Sequence, residues 1–228
     1  DAERAIKSGD TDTALSIQNN YLRNYPLSLW IDYWYLANNM DVSKFPQVKQ
    51  FINSKVHQEL GLLLKSKYIE YLSSVGKYKL VSDLIGKKPF LDDSEMSKPQ
   101  QALQCRFYEA RWQQGIADVT AAAFASKMYL QLSPYPSSCA GLIYIWGQNG
   151  YLDDKVQLEK FERAYITKNY SETTRSLAQG LEQTQFAPRV AQEMSLYDNP
   201  AAVLSLDYVE SDENTQRTAV LAFKRFAN

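Results

Sequence analysis

The sequence predicts an all-α chain, built as a right-handed superhelical solenoid of stacked, irregular helix hairpins. Three observations carry that prediction. Apolar residues recur with helical period almost everywhere: Phe161, Tyr165 and Ile166 alternate with Glu159, Lys160, Glu162 and Arg163, which puts grease on one face and charge on the other. The breaks between such stretches carry cap chemistry, and no segment shows a persuasive strand alternation. A weak internal repeat closes each unit with an apolar or aromatic residue, another four later, and then Gly or Asn: Tyr68, Leu72, Gly76; Tyr108, Trp112, Gly115; Leu142, Trp146, Gly150; Phe161, Tyr165, Asn169.

Taken in chain order, helix starts are expected at Asp10-Thr11-Asp12 ahead of Ala14, at Ser43 ahead of Lys44, and at Ser137-Ser138 ahead of Cys139. Asp154 and Gln157 are spaced as a capping box, Pro200 after Asn199 suits a first helical position, and Ser211 with Asp212 caps a helix from Asn214 to Phe226. Stops are expected at Gly9, Gly76, Gly86, Gly115, Gly150 and Gly180. A second amphipathic helix follows several of the stops, as in Tyr78 to Ile85 and Ile116 to Leu130, so the unit is a hairpin. The middle stops lie about 35 to 40 residues apart, the length of known helical repeats, and the interval then roughly halves at Asn169. One hairpin cannot cover its own apolar face, so aromatic side chains fill the seams, and 16 tyrosines against 4 tryptophans suit a thin layer whose rings reach water at its edge. Lys87 to Lys98, with Pro89, Asp92, Asp93, Ser94 and Glu95, reads as a polar loop.

At 228 residues and 22% charged the chain can bury a sizeable core, and a net charge of −1 leaves no electrostatic footprint for nucleic acid. No apolar stretch approaches a membrane span; Leu60 to Leu64 is far too short. Starting at Asp1 without an initiator methionine, the chain reads as an excised or processed piece, with further sequence, and any active site it holds, lying beyond it. Cys105 and Cys139 are the only cysteines and His57 the only histidine, too few ligands for zinc. A structural disulfide across a helical seam needs only these two, would stabilise by about 3 to 4 kcal/mol, and implies an oxidising compartment, the periplasm or cell exterior. Two separate buried thiols are the other reading.

Catalytic patterns are sparse. His57, in Ser-Lys-Val-His-Gln-Glu, reads as a surface histidine at a helix edge rather than a general base. No Walker sequence, dinucleotide loop or His-Glu-x-x-His occurs, so no cofactor and no metal are expected. Asp92-Asp93 falls in the polar loop, where nothing desolvates a carboxylate, and Asp153-Asp154 reads as helix-start chemistry. Trp30, Tyr33, Trp34 and Tyr35 form the densest aromatic cluster; core packing is preferred over sugar stacking, because Trp30 with Trp34 and Ile31 with Tyr35 define separate faces of a helix buried on several sides. Lysines at 44, 49, 55, 65, 67, 77, 79, 87 and 88 make the first half basic, which a solvated face explains ahead of a carboxylate-binding rim.

Three stretches together carry a resemblance. They are Asn24-Tyr25-Pro26-Leu27 running into Leu29-Trp30-Ile31-Asp32-Tyr33; Gln104-Cys105-Arg106-Phe107-Tyr108-Glu109-Ala110-Arg111-Trp112-Gln113-Gln114-Gly115; and Ser138-Cys139 followed by Leu142, Trp146 and Gly150. In order and content they resemble the N-terminal helical U-shaped domain of the soluble lytic murein transglycosylases of Gram-negative bacteria, over nearly the whole chain. The resemblance implies a single U-domain fragment spanning residues 1–228, truncated relative to its parent, in a periplasmic protein that remodels peptidoglycan. Its partners would be glycan strands together with the linker and lysozyme-like catalytic domains of the same parent, the latter absent from this chain. In that catalytic domain a glutamate in Glu-Ser, ahead of Gly-Leu-Met-Gln, protonates the glycosidic oxygen, and the muramic acid hydroxyl then attacks to leave a 1,6-anhydro end. Here Glu210-Ser211 runs into Asp212-Glu213-Asn214 and Gly-Leu-Met-Gln is nowhere present, so no catalytic residue is expected in this chain. A tetratricopeptide-like protein-interaction scaffold of the cell envelope is the alternative.

Overall fold

The computed structural model describes residues 1–22, 25, 28–54, 58–86, 96–116, 118–167, 169–205 and 212–227. Among them are thirteen α-helices and no strand, as the periodicity predicts. The chain divides into two compact units, Asp1–Ala117 and Asp118–Asn228.

The first unit holds α1 (Ala2–Lys7), α2 (Thr11–Ile17), α3 (Ser28–Asn38), α4 (Phe45–Asn53), α5 (Gln58–Ser74), α6 (Tyr78–Ile85) and α7 (Lys98–Gln113). Its odd-numbered helices stack, α1 on α3, α3 on α5 and α5 on α7, while α2, α4 and α6 each pack against an odd-numbered neighbour. That is the hairpin stack the repeat foretells. α5 is the hub, and Leu64, Tyr68 and Leu72 on one of its stripes are wholly buried. Gly61, also on α5, lets the backbone of α4 approach: a Cβ there would stand 3.2 Å from the carbonyl oxygen of Ile52. At the far end Ala2, Ala5, Ile6, Ala14 and Ile31 form a small core with Trp34 packed against it.

The second unit holds α8 (Val119–Leu130), α9 (Ala140–Gln148), α10 (Asp154–Ile166), α11 (Ser171–Gly180), α12 (Ala187–Ser195) and α13 (Glu213–Ala227). α10 is its hub and meets α8, α11 and α13. Leu158, Phe161 and Tyr165 of α10 join Leu181, Val190, Tyr197 and Leu221 in the main core, and Leu196, Val203, Ala219 and Ala222 make a second, smaller one. α10 thus meets its third neighbour, α13, as well as its next one, α11, and this is where the sequence repeat loses its spacing. Arg225 fastens this arrangement: Nη1 donates to the carbonyl of Tyr165 at 2.8 Å, in the last turn of α10, and Nε to the carbonyl of Tyr197 at 3.1 Å. Its guanidinium also lies 3.9 Å from the centre of the Tyr197 ring.

The expected stops hold at Gly9, Gly76, Gly86, Gly115 and Gly150, all at positive φ. Gly180 differs. It is the last residue of α11, and the chain continues in helical turns because Leu181 is wholly buried in the core. Ser137 and Ser138 lie within the 3₁₀ turn Ser137–Cys139 that leads into α9 rather than capping a helix from outside it, and cap assignments move by one or two residues at two further starts. Asp41, rather than Ser43, accepts from the Ser43 backbone N–H at 2.8 Å and opens the 3₁₀ turn Val42–Lys44 that leads into α4. Asp153, rather than Asp154, caps α10 by accepting from Val156 N at 2.9 Å. Pro200 opens a 3₁₀ segment, Pro200–Ser205, and not an α-helix. Asp212 caps α13, accepting from Thr215 N at 3.0 Å, whereas Ser211 and residues 87–95 of the expected Lys87 to Lys98 loop lie outside the described residues, and Ser97 and Lys98 open α7 instead.

Candidate functional site

Each unit holds a partly buried cluster of ions at its hub. On α7 of the first unit, Arg106 and Glu109 share a face at i, i+3, and α5 brings Glu70 to the same guanidinium. Arg106 Nε donates to Glu70 Oε1 at 3.1 Å and Nη1 to Glu109 Oε2 at 2.6 Å. Burial works against the Arg106 charge, but the bonds to Glu70 and Glu109 outweigh it and hold the guanidinium above its ordinary value. Burial pushes the Glu109 carboxyl up while Arg106 pulls it down. The bidentate geometry and the two short bonds favour the charged pair.

In the second unit Arg189 of α12 bonds Glu162 of α10 and donates through Nε to Glu193 at 3.0 Å; Arg217 of α13 donates to Glu162 Oε2 at 2.8 Å. Glu193 is fully buried, and burial raises its carboxyl above the usual range, with Arg189 and Arg217 opposing. Nearby, Tyr165 Oη, Tyr197 Oη and Thr218 Oγ1 are buried without a hydrogen-bond partner among the described residues. These carboxylates are ion-paired inside helix seams, an arrangement that orders helices rather than presenting an acid to a substrate.

Two surface features could take a ligand. A groove of about 510 Å³ between α6 and α7 is lined by Lys79, Leu80, Phe107, Arg111, Gln114 and Ile116, among others. A second, of about 540 Å³, runs along α13 and is almost wholly apolar, lined by Val203, Leu204, Ala219, Val220 and Phe223 together with Gln216 and Lys224.

The residues singled out in the sequence fall out as follows. Cys105 and Cys139 are both wholly buried and both disulfide-bonded, and no cysteine is free. His57, Asp92, Asp93, Glu210 and Ser211 lie outside the described residues. No cluster of His, Cys, Asp and Glu able to hold a metal occurs among the described residues, and no described helix is long and apolar enough to cross a membrane. The aromatic cluster is split: Tyr33 is buried, whereas Trp30 is 39% exposed and packs edge-on against Tyr33 at 6.1 Å, because Ile31 and Leu36 take the core positions on α3. Among the lysines, Lys44 lies 4.5 Å over the Tyr35 ring and donates to the Asn39 carbonyl at 2.9 Å, and Lys49 pairs with Asp83 at 2.9 Å. Lys65 is half-buried and burial lowers its pKa; Lys55, Lys87 and Lys88 lie outside the described residues. Within the Gln104 to Gly115 stretch, Ala110 is wholly buried, Trp112 nearly so, and Gly115 at φ 75 ends the helical run.

Sequence reasoning missed both ion clusters. Their local legs, Arg106 with Glu109 and Arg189 with Glu193, stand at helical spacing and were available as a signal.

No protein-family model matches the chain, and neither does any curated protein. Solved structures do. The 70 kDa soluble lytic transglycosylase Slt70 from Escherichia coli matches with a TM-score of 0.69 and 21% identity over 97% of this chain and 34% of that one, and so does its complex with bulgecin A. An inactive mutant of lytic transglycosylase Slt from Pseudomonas aeruginosa matches with a TM-score of 0.71 and 21% identity, over 99% of this chain and 35% of that one. The shared property is the fold. At this identity the likeness extends to the all-α arrangement of helix hairpins and not to chemistry. The chain spans about a third of the length of the structures it matches.

Proposed function

We propose that residues 1–228 are one non-catalytic, U-domain-type helical segment of a periplasmic soluble lytic transglycosylase. The parent would cleave the β-1,4 bond between N-acetylmuramic acid and N-acetylglucosamine in peptidoglycan and leave 1,6-anhydro ends. This segment carries no catalytic residue, cofactor or metal in that reading; it serves as scaffold and strand-guiding surface beside linker and lysozyme-like domains of the same parent. The observation that carries the reading is a fold likeness to two lytic transglycosylases over nearly the whole chain. Two further points support it: the order of the three sequence stretches, and the engagement of Glu109, Glu162 and Glu193 with arginines. Cys105 pairs with Cys139 in this account, and peptide mapping without reductant would recover their two peptides linked.

Pull-down on isolated murein sacculi tests the function. Retention of the chain, with no clearing of a murein gel in a zymogram, is the expected result. Clearing by this chain would overturn its non-catalytic assignment. Flow-through from sacculi, combined with capture of one discrete envelope protein, would instead support a tetratricopeptide-like interaction scaffold, a reading that the apolar side of α13 favours.

A further inference from the structure

We propose that the cleft between α10 and α13 binds a small organic anion, a carboxylate carried on an apolar body. The cleft encloses about 390 Å³, within the range of small-ligand sites, and it shares Val220 and Lys224 with the apolar groove along α13. Its apolar lining comes from Ile166 of α10 and from Val220 and Leu221 of α13. Its charged lining comes from Glu159, Glu162 and Arg163 of α10 and from Arg217 and Lys224 of α13.

Both of these acids already have an arginine. Glu159 accepts from Arg163 Nη2 at 2.7 Å, and Glu162 accepts from Arg217 Nη2 at 2.8 Å. Arg217 commits Nε and Nη2 to Glu162 and so keeps the hydrogens of Nη1, while Arg163 keeps those of Nε and Nη1. The exposed Lys224 ammonium has no ion-pair partner among the described residues. Lys224 thus supplies the free charge, and the two spare guanidinium edges supply the directed donors that a carboxylate takes up. The apolar lining selects the body: Val220 is 52% exposed, and covering it removes apolar surface from water, which a bare inorganic anion cannot do. The scaffold reading gives this cleft no part, so either can fail while the other stands.

Titration of the ¹⁵N-labelled 228-residue chain with hexanoate and with N-acetyl-leucine, followed by amide chemical shifts, tests it. Saturable shifts confined to α10 and α13 are expected, with a dissociation constant on the order of 1 mM. Tighter binding of N-acetyl-leucine would mark a peptide end as the source of the carboxylate, and tighter binding of hexanoate a free acid; either supports the proposal. Hexanamide, which has the body without the charge, should bind about tenfold more weakly than hexanoate. Acetate, which has the charge without the body, should also bind about tenfold more weakly. Lys224→Gln alters an exposed, unpaired side chain without disturbing the fold and should weaken hexanoate binding about fivefold. Arg163→Gln should weaken it about threefold. Equal binding of hexanoate and hexanamide, acetate binding as tightly as hexanoate, unchanged affinity in Lys224→Gln, shifts centred elsewhere, or no saturable binding would each overturn the proposal.

Discussion

α5 and α10 play the same part in their units but are held in different ways. α5 lies between hairpins that follow in order, meeting α3 and α4 on one side and α6 and α7 on the other. Its buried side is apolar apart from Ser73 and the Tyr68 hydroxyl, which donates to the Asp41 carbonyl at 2.6 Å, and its one ion-cluster residue, Glu70, is 43% exposed. α10 meets α8 before it and, after it, both α11 and the more distant α13. Its ion-cluster residue, Glu162, is only 13% exposed, and the Tyr165 hydroxyl is buried with no partner among the described residues. The difference teaches where polarity is needed. In the first unit the Arg106–Glu70 pair joins α7 to α5 at a half-exposed site, whereas in the second Glu162 meets arginines of α12 and α13, so the helix remote in sequence is joined through a more deeply buried carboxylate.

The comparison can be broken by emptying each hub. Phe161→Ala should cost about 4 kcal/mol and Leu72→Ala about 3 kcal/mol, each with loss of hydrogen-exchange protection centred in its own unit. Equal loss in both units after either change would end the two-hub description. The ion clusters sharpen it. Glu162→Gln leaves Arg189 and Arg217 facing each other across a seam and should cost about 3 kcal/mol in urea melts. Glu70→Gln, at a half-exposed site, should cost about 1 kcal/mol or less.

The hydroxyls give a smaller contrast. Tyr68→Phe removes a hydrogen bond and should cost about 1 kcal/mol, while Tyr165→Phe removes a buried polar atom without one and should be neutral or stabilising. Burial pushes both phenols up to about 12. A folded-state pKa above the unfolded value means a contribution fully present below the unfolded value near 10 and lost as pH rises through about 12. Near-ultraviolet absorbance should therefore show Tyr68 and Tyr165 among the tyrosines that ionise late, with Tyr78 and Tyr129 also shifted upward by burial. Asp153→Ala should fray the start of α10 at a cost of about 1 kcal/mol, read by exchange at Val156.

Much of this was legible in the sequence because it is set locally. α6 spans Tyr78–Ile85 as the periodicity requires, and five glycines stop helices because the turn there needs a positive φ. The capping aspartate of α10 was ambiguous, since Asp153 and Asp154 offer the same oxygen one residue apart and only backbone direction decides between them. Gly180 ends α11 as expected but without the left-handed turn, and Trp30 misses the core, for one reason. Burial of Leu181 carries the helical turn past the glycine, and Ile31 displaces Trp30 from the core, so packing from elsewhere in the unit overrides the local rule. The candidate groove was half legible: Arg111 and Gln114 belong to the stretch that carries the resemblance, but their meeting with Lys79 and Ser82 requires α6 to fold back on α7.

Arg225 has a consequence for the molecule's durability. The carbonyls it holds belong to residues far upstream, so α13 acts as a latch whose tongue closes over the exit of the hub helix. Clipping the polypeptide between Phe223 and Arg225 would spare every turn of α10, yet its last turn would begin to open, and protease sensitivity would then spread inward from Tyr165 instead of starting at the cut.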